Sequence, residues 1–538
     1  MIAWARTGSQ SNNPEGRRRE WKNAMHVTLI EPQKYVSGTN HVSTVAMPPL
    51  GLAYIAASLE RAGHQVSIVD AFGMGLERLT SFGPVCLRGV SNAEAVAEIP
   101  ANTDVIGLGC MFSCQWPATR LLIADIKRRF PNVPLVMGGE HANALPEFSL
   151  SQAPFDIAVL GEGEETAVHL LDYVSGKTAL EDIPGIVFMK EGTPVSTGPR
   201  RRIRDIDAIP TPAWHLVDIE RYMRFNVPHG AAQGRFMPML ATRGCPFECT
   251  FCSSPGMWTQ RWIARDPKKV VDEMESYMRR YLATDFQFED LTAIVRKSWL
   301  VDFCEEILKR QLGITWQLPS GTRSEAINSE VTYRMKAAGC HEFSYAPESG
   351  CPETLKIIKK KVSLDKLYQS GKDAMAAGIS VGCYFIIGFP SERWPNVIRT
   401  YKAIIKCAAL GFSSVNVNAF SPQPHTELYD ELVKRGKIKL DDDYFYSLFT
   451  FQDHGRRQTS YNDYFTHWQL SLIVTMGMAL FFGVYFLCRP WRLGQVFIDP
   501  FRAKSKSKLG KHLRGMRNDL LRVAQLRKSP HSGMGANR

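Results

Sequence analysis

The chain has 538 residues, of which 44% are hydrophobic and 22% charged, a globular composition that is too long for a single ordinary core. Residues 489–538 hold 13 Lys and Arg against two acids, so this segment carries +11 of the net charge of +12. The remainder is close to neutral, which removes electrostatic support for nucleic-acid binding by the body of the protein. We therefore expect two or three domains and no nucleic-acid partner.

Residues 1–24 are polar, include three consecutive arginines and lack the apolar core of a secretory signal. We interpret them as a disordered extension, with a mis-assigned start as the alternative. The twelve cysteines are scattered apart from one group of three, which favours a reducing compartment over a disulfide framework. A cytoplasmic location is expected.

Residues 25–180 alternate β-branched runs with helical patterns. Strands are predicted at 27–30, 65–70, 104–108, 134–139 and 157–161, with helices at 48–62 and 117–129. This alternation predicts an α/β, doubly wound (Rossmann-like) parallel sheet, whose ligands bind beyond the carboxyl ends of the strands. Residues 181–234 contain several prolines and one short β element, and they are predicted to be a linker.

Two of those strand ends are rich in glycine and acidic residues. The candidates for ligand contact there are Gly138, Gly139, Glu140, His141, Gly161, Glu162 and Gly163. Glycine allows a large planar ligand to approach the backbone closely, although a glycine pair at a strand end is more often only a tight turn.

Residues 235–430 contain six further strand-like runs, at 236–242, 286–289, 314–318, 342–346, 381–387 and 414–420, separated by helical stretches. Six such units predict a partial (β/α)6 TIM barrel with its chemistry at the carboxyl ends of the strands. Polar candidates follow the second, third and fourth strands: Glu289, Asp290, Arg323, Glu348 and Ser349.

Cys245, Cys249 and Cys252 follow the first of these strands and are the most informative residues of the chain. Three thiolates at this spacing can hold three corners of a cubane iron–sulfur cluster and leave the fourth iron open, as a catalytic site requires. A three-cysteine zinc site or a chance group is the alternative.

The spacing Cys-x3-Cys-x2-Cys, with Phe251 directly before the last cysteine, resembles the signature of the radical S-adenosylmethionine (radical SAM) enzymes. The resemblance implies that Cys245, Cys249 and Cys252 hold a [4Fe-4S] cluster. It also implies that the open iron binds SAM, which is reductively cleaved to methionine and a 5'-deoxyadenosyl radical. Phe251 and the five polar strand-end residues match positions that hold SAM in this family.

Ahead of the cysteines, the runs 48–57, 62–66, 137–141 and 160–166 occur in an order similar to that of cobalamin-dependent radical SAM enzymes. The resemblance covers about residues 25–430 and includes the anaerobic magnesium-protoporphyrin ester cyclase and hopanoid methylase group. It implies cobalamin at the glycine-rich strand ends. His141 is either a contact to the corrin or a helix-start histidine bonded to a loop.

The Asp-x-His-x-x-Gly motif that supplies a cobalt ligand in many cobalamin domains is absent from the sequence. The nearest match begins at Asp70 and has Phe72 in the ligand position, where no metal can be bound. The resemblance therefore implies cobalamin without a histidine beneath the cobalt.

The implied reaction is C-methylation of an unactivated carbon, and the alternative is oxidative cyclisation or rearrangement with the same cofactors. A non-catalytic cobalamin sensor is the alternative from another class. No catalytic residue beyond the cofactor ligands is predicted. The expected partners are a small, hydrophobic substrate and a reductase, flavodoxin or ferredoxin as electron donor.

Residues 431–490 are predicted to be helical, and 470–487 form an uncharged apolar run at the lower limit for a membrane span. One interpretation is peripheral contact with the cytoplasmic face of a membrane, assisted by the basic tail at 491–538. The other is a buried helix that caps the barrel.

Overall fold

The computed structural model describes residues 24–36, 45–450 and 458–498. The predicted N-terminal extension and most of the basic tail lie outside these ranges. Two large sheets, each with its own helices, make up the described chain.

The N-terminal domain contains a seven-stranded sheet and a small three-stranded antiparallel sheet. Its strands are β1 His26–Glu31, β2 Lys34–Val36, β3 Gln65–Asp70, β4 Leu79–Phe82, β5 Val85–Arg88, β6 Val105–Gly109, β7 Leu135–Gly138, β8 Ile157–Val159, β9 Ile186–Lys190 and β10 Thr193–Ser196. Its helices are α1 Leu50–Arg61, α2 Asn92–Ala97, α3 Trp116–Arg129, α4 Glu140–Ala144, α5 Pro146–Gln152 and α6 Gly163–Val174.

The large sheet has the order β3-β1-β6-β7-β8-β9-β10, and its first five strands are parallel. The strand order reverses between β1 and β6, the topological switch point at which doubly wound sheets bind ligands. The predicted fold of this domain is confirmed. Part of the segment expected to be a linker, residues 181–234, belongs to this sheet: β9 pairs antiparallel with β8, and β10 pairs with β9, so the sheet continues to Ser196.

The second domain is a parallel six-stranded partial barrel in the order β11-β14-β15-β16-β17-β18, preceded by α7 Ile219–Phe225. Its strands are β11 Phe236–Met239, β14 Asp285–Phe288, β15 Thr315–Thr322, β16 Cys340–Glu348, β17 Ser380–Ile387 and β18 Ser414–Ala419, with β12 Thr242–Arg243 and β13 Ile263–Ala264 forming a separate pair. Its helices are α8 Ser254–Trp258, α9 Pro267–Tyr281, α10 Lys297–Arg310, α11 Ser329–Ala337, α12 Pro352–Ile357, α13 Leu364–Ala376, α14 Trp394–Leu410 and α15 Glu427–Lys434.

Side chains alternate along the barrel strands, as strand geometry requires. On β14, Phe286 and Phe288 pack into the main core, while Asp285 and Gln287 belong to the opposite face. The six predicted strands of this segment are confirmed, and the sheet does not close because β11 and β18 are its two edges.

Three helices complete the described chain: α16 Asp442–Thr450, α17 His467–Cys488 and α18 Trp491–Ile498. In α17, Leu470, Ile473, Val474 and Phe481 are buried in the main core beside β18 and α14. Arg489 donates to the carbonyls of Ala408 and Ala409, which anchors the end of α17 to the end of α14. One face of α17 therefore packs on the barrel, as the second interpretation of this segment expected.

Candidate active site

A single cavity of about 2310 Å³ connects the two domains. It is lined by the carboxyl ends of β1, β6, β7 and β8 on one side and by barrel residues of β11, β15, β17 and β18 on the other, with Glu289 directly after β14. Such a volume exceeds the range typical of a site for one small ligand. The predicted glycine-rich strand ends and the predicted cysteine loop thus border the same space.

The three cysteines lie on the loop between β12 and α8. Thr292 donates a hydrogen bond to Cys245 Sγ over 3.3 Å, and Ser254 Oγ lies 3.3 Å from Cys252 Sγ. The loop is fixed on both sides at Thr250, whose N–H donates to the Ile358 carbonyl and whose carbonyl accepts from Leu428 N–H.

Burial raises the pKa of the Cys249 thiol to about 11 and also raises the pKa of Cys252. Both thiols are protonated at neutral pH without metal, so ligation must displace their protons. Within the described ranges, no three His, Cys, Asp or Glu side chains converge on one point as ligands of a single ion. A cubane binds each thiolate to a different iron, and the donor set fits a cluster of that kind.

Three of the predicted SAM residues, Glu289, Arg323 and Glu348, carry charge at successive strand ends. His229 Nδ1 lies 2.9 Å from Glu289 Oε2, while Glu289 Oε1 is buried without a hydrogen-bond partner in the described chain. The Arg323 guanidinium lies 3.9 Å from the ring centre of Phe247, inside the cysteine loop, and pairs with Glu325.

Glu348 adopts a left-handed backbone conformation with φ of 66°, which is strained for a residue with a side chain. Its carboxylate accepts from Lys360 Nζ over 2.9 Å. A strained residue with a buried ion pair next to the cysteine loop is typical of a binding site.

The other predicted SAM residues serve the local structure. Asp290 accepts from Thr242 Oγ1 and from the N–H groups of Ala241 and Thr242, so its carboxylate is already engaged. The Ser349 hydroxyl lies 2.9 Å from Thr400 Oγ1 and is fully buried. In the described chain both side chains therefore hold loops in place, and their contact with SAM stays a prediction.

Phe251 packs against Phe389, with 5.7 Å between the ring centres, and is only half-buried. Part of its ring is therefore free of protein contacts, and Phe251 is not among the residues that line the cavity.

Several polar atoms on or directly after the barrel strands are buried without a partner in the described chain, which is costly unless a ligand or water satisfies them. They are Gln287 Nε2, Gln317 Oε1, Thr322 Oγ1, Ser324 Oγ and Ser344 Oγ. Of these residues and Glu289, whose Oε1 also lacks a partner in the described chain, Glu289 borders the cavity and is the one placed to meet a ligand there.

The glycines at the ends of β7 and β8 form an open face toward the cavity. A Cβ added at Gly138 or Gly161 would meet no atom within 4 Å, whereas one at Gly139 would lie 2.5 Å from the Cys110 carbonyl oxygen. Gly139 also has φ of 107°. The face fits the close approach of a large flat ligand, and Gly139 shapes the turn behind it.

Two acidic candidates of this face instead bind the second domain. Glu162 accepts from Arg202 Nε over 2.9 Å and from Arg243 Nη1 over 3.1 Å. Burial raises the pKa of Glu140, and a hydrogen bond from Ser253, beside Cys252, opposes that rise. Both residues also border the cavity, so their contact with cobalamin stays a prediction beside these contacts between domains.

His141 is fully buried outside the cavity lining. Its ring nitrogens each lie 3.0 Å from a serine hydroxyl, Ser113 and Ser149, and burial lowers its pKa to about 3. These hydrogen bonds agree with the interpretation of a histidine bonded within the fold, and the contact to the corrin stays a prediction.

Lys360, Arg243 and His229 were not predicted from the sequence. Lys360 is twelve residues from its partner Glu348, and Arg243 is 79 residues from Glu164, so no local spacing connects them. The position of Arg243 two residues before Cys245 was the only available signal.

The chain matches two family descriptions, the B12 binding domain over residues 37–171 and the Radical SAM superfamily over residues 239–404. An uncharacterized methyltransferase, PH0819, of Pyrococcus horikoshii is 30% identical, over 76% of this chain and 83% of that protein. The anaerobic magnesium-protoporphyrin IX monomethyl ester cyclase of Rubrivivax gelatinosus is 27% identical, over 79% of this chain and 73% of that protein.

Among solved structures, the radical SAM methyltransferase TsrM from Kitasatospora setae, with cobalamin and a [4Fe-4S] cluster bound, shares the fold with a TM-score of 0.64. The identity is 16%, and the match covers 93% of this chain and 99% of that one.

A B12 binding domain followed by a radical SAM barrel defines a class of enzyme that carries both cofactors. This chain belongs to the cobalamin-dependent radical SAM enzymes. Its cofactors are a [4Fe-4S] cluster, SAM and cobalamin.

Proposed function

We propose that this enzyme transfers a methyl group to an unactivated carbon of a small, hydrophobic substrate. The observation that carries the proposal is the single cavity that joins the glycine face of the cobalamin-binding sheet to the barrel interior. A substrate in this space can be reached from both cofactor sites without leaving the protein.

Cys245, Cys249 and Cys252 would hold the cluster, and Glu289, Arg323 and Glu348 would bind the amino-acid and ribose groups of SAM. Gly138 and Gly161 would admit the corrin. When bound, the cluster and SAM would supply a radical that abstracts a hydrogen atom from a C–H bond of the substrate, and cobalamin would supply the methyl group. The protein contributes orientation and exclusion of water, which such cofactors require.

Oxidative cyclisation remains the second candidate, because the Rubrivivax relative is named as a cyclase and is similar over most of this chain. The test is turnover with SAM that carries an isotopically labelled methyl group, with extracted lipids and tetrapyrroles as substrates. Label in the organic product together with S-adenosylhomocysteine supports methyl transfer. A product that lacks label and has lost hydrogen supports cyclisation and rejects the proposal.

The hydrophobic character of the substrate is inferred from the open side of the barrel. Between the edge strands β11 and β18, the cavity is bordered by Pro238, Val415 and, from α17, Met478 and Phe482. An apolar side entrance next to an apolar helix suits a substrate that arrives from a lipid phase.

We also propose that the outer face of α17 rests on an anionic membrane at the cytoplasmic side. By length and composition α17 is the one helix of the described chain that could cross a membrane, and a third of its apolar window is buried. Trp468, Leu472, Met476 and Leu487 are exposed on the face turned away from the barrel, between 54% and 82%. The strongly basic segment that follows supplies charge complementary to anionic lipid.

Leu472 and Leu282 are both 66% exposed, which provides a matched pair of variants. Leu472→Asp is expected to weaken co-sedimentation with phosphatidylserine vesicles at least about tenfold, since one leucine side chain no longer enters the bilayer. Leu282→Asp, on the end of α9, is expected to bind like the parent protein. Equal binding by both variants would reject this membrane contact.

A further inference from the structure

A second groove, of about 830 Å³, lies on the outer surface between α12, the chain that follows it, α13 and α14. Seven Lys or Arg and one acid, Asp365, line it. The exposed cations are Lys356, Lys359, Lys361, Arg399, Lys402 and Lys406. Because residues 1–488 carry only about +1 in total, this groove is a local concentration of positive charge on a nearly neutral body.

The ion pairs of the groove leave part of this charge unbalanced. Arg399 pairs with Glu353, Lys359 with Glu427, and Lys406 lies 3.7 Å from Asp365. Lys356, Lys361 and Lys402 form no ion pair with any residue in the described ranges. Lys406 also lies 4.0 Å from the ring centre of Tyr368, and Lys360 pairs with the buried Glu348. Exposed pairs contribute little to stability, so Lys356, Lys361 and Lys402 remain a group of cations that these contacts do not explain.

The floor of the groove is directly behind the cysteine loop. Ile358 accepts the N–H of Thr250, which lies between two of the cysteines, over 3.1 Å. The Lys361 carbonyl accepts from Arg323, whose guanidinium stacks on Phe247 of the same loop. Only the segment 358–361 therefore separates the groove from the loop that holds the cluster.

The proposed function requires an electron from outside the protein for each cleavage of SAM. We propose that this groove is the docking surface for a small acidic electron-carrier protein of the flavodoxin or ferredoxin kind. The carrier is oxidised by one electron and the cluster accepts that electron, so no further reactant is needed. This inference rests on the proposed function only in that the cluster must be reduced. The choice of the groove as docking surface rests on its charge and its position behind the cysteine loop.

The test compares two triple variants under two reductants. Lys356→Glu, Lys402→Glu and Lys406→Glu reverse the groove, and Lys268→Glu, Lys269→Glu and Lys309→Glu make the same change on exposed positions of α9 and α10. The rate of 5'-deoxyadenosine formation is measured against flavodoxin concentration, with its reductase and NADPH, and separately with dithionite.

For the groove variant, we expect the flavodoxin concentration at half-maximal rate to rise at least about tenfold, with the dithionite rate unchanged. The control variant should match the parent protein under both reductants. Unchanged flavodoxin dependence in the groove variant overturns the proposal, as does an equal loss with dithionite, which would show a structural role.

Direct binding of flavodoxin, measured by fluorescence anisotropy, separates this inference from the proposed function. Loss of binding in the groove variant supports the docking surface even if no methylated product is ever found. The groove variant could instead retain flavodoxin binding while labelled phosphate is displaced from the groove of the parent protein. That result would identify a small-anion site and reject the carrier.

Discussion

Arg243 Nη2 lies 2.5 Å from Glu164 Oε1, and both side chains are less than a tenth exposed. Arg243 comes two residues before Cys245, and Glu164 belongs to α6 of the cobalamin-binding domain. This ion pair joins β12, which leads into the cysteine loop, to the start of α6, which follows β8 of the cobalamin-binding sheet. It fixes the relative position of the two elements that border the predicted cofactor sites.

Arg243→Met should lower the free energy of unfolding by about 3–5 kcal/mol, because it leaves a buried carboxylate uncompensated. Adding Glu164→Gln should restore part of that loss, since the second substitution removes the orphaned charge. Urea denaturation of the two variants and the parent protein measures the effect. If the double variant were less stable than Arg243→Met, the ion pair would not be the reason for the loss.

Gly139→Ala and Gly138→Ala should have different effects although the residues are neighbours. At Gly139 the added methyl group meets a backbone carbonyl and the backbone has positive φ, so thermal stability should fall markedly, by about 2 kcal/mol or more. At Gly138 it meets no protein atom, so the protein should fold normally and retain less cobalamin. Melting curves and bound corrin, read from absorbance, check both expectations. Normal cobalamin content in Gly138→Ala would contradict the assignment of this face.

Replacement of Cys245, Cys249 or Cys252 by Ala should each remove the cluster and abolish formation of 5'-deoxyadenosine, since three protein ligands are the minimum for this type of site. Cys488→Ser, at an exposed cysteine on the end of α17, is the control and should keep full iron content. Iron analysis after anaerobic reconstitution is the measurement. An active variant at any of the three positions would contradict the ligand assignment.

Glu392 should make stability depend on pH. Burial raises the pKa of its carboxyl to about 7. The hydrogen bonds from the N–H groups of Gly388 and Phe389 lower this pKa, but burial has the larger effect. Because the folded pKa is the higher one, this stability is complete below the unfolded value near 4.5 and is lost as pH rises to about 7. The loss is of the order of 3 kcal/mol, at about 1.4 kcal/mol for each pH unit.

Glu392→Gln cannot ionise and keeps an oxygen for both N–H groups. The difference in melting temperature between this variant and the parent protein should therefore change between pH 5 and pH 7, since all other titrating groups are common to both. Parallel melting profiles over this range would show that Glu392 ionises as freely in the folded protein as in the unfolded chain.

The sequence was sufficient for the elements whose signal is local. The barrel strands are runs of buried apolar residues separated by amphipathic helices. All six strands were predicted because these hydrophobic patterns are visible within each segment of the sequence. Strands β2, β4 and β5, of three or four residues, were missed because short, partly exposed strands have no clear period. Strands β9 and β10 were assigned to a linker because their pairing with β8 depends on the fold.

The candidate site shows the same division. The cysteine spacing and the glycines at strand ends are local patterns and were found from the sequence. The sequence did not show which polar side chains remain available to a ligand. Asp290 accepts a hydrogen bond from Thr242 and Glu162 accepts one from Arg243, and these partners are 48 and 81 residues apart in the sequence. The partners of these polar groups are decided by tertiary packing, which no local sequence pattern encodes.

The most direct test is anaerobic reconstitution of the full chain with iron, sulfide and hydroxocobalamin, followed by metal and corrin analysis and by electron paramagnetic resonance of the reduced protein. We predict about four irons and one corrin per chain, with a cluster signal that changes when SAM is added, because SAM binds the open iron. A colourless protein that holds a single zinc ion at the three cysteines and binds no corrin would contradict the account.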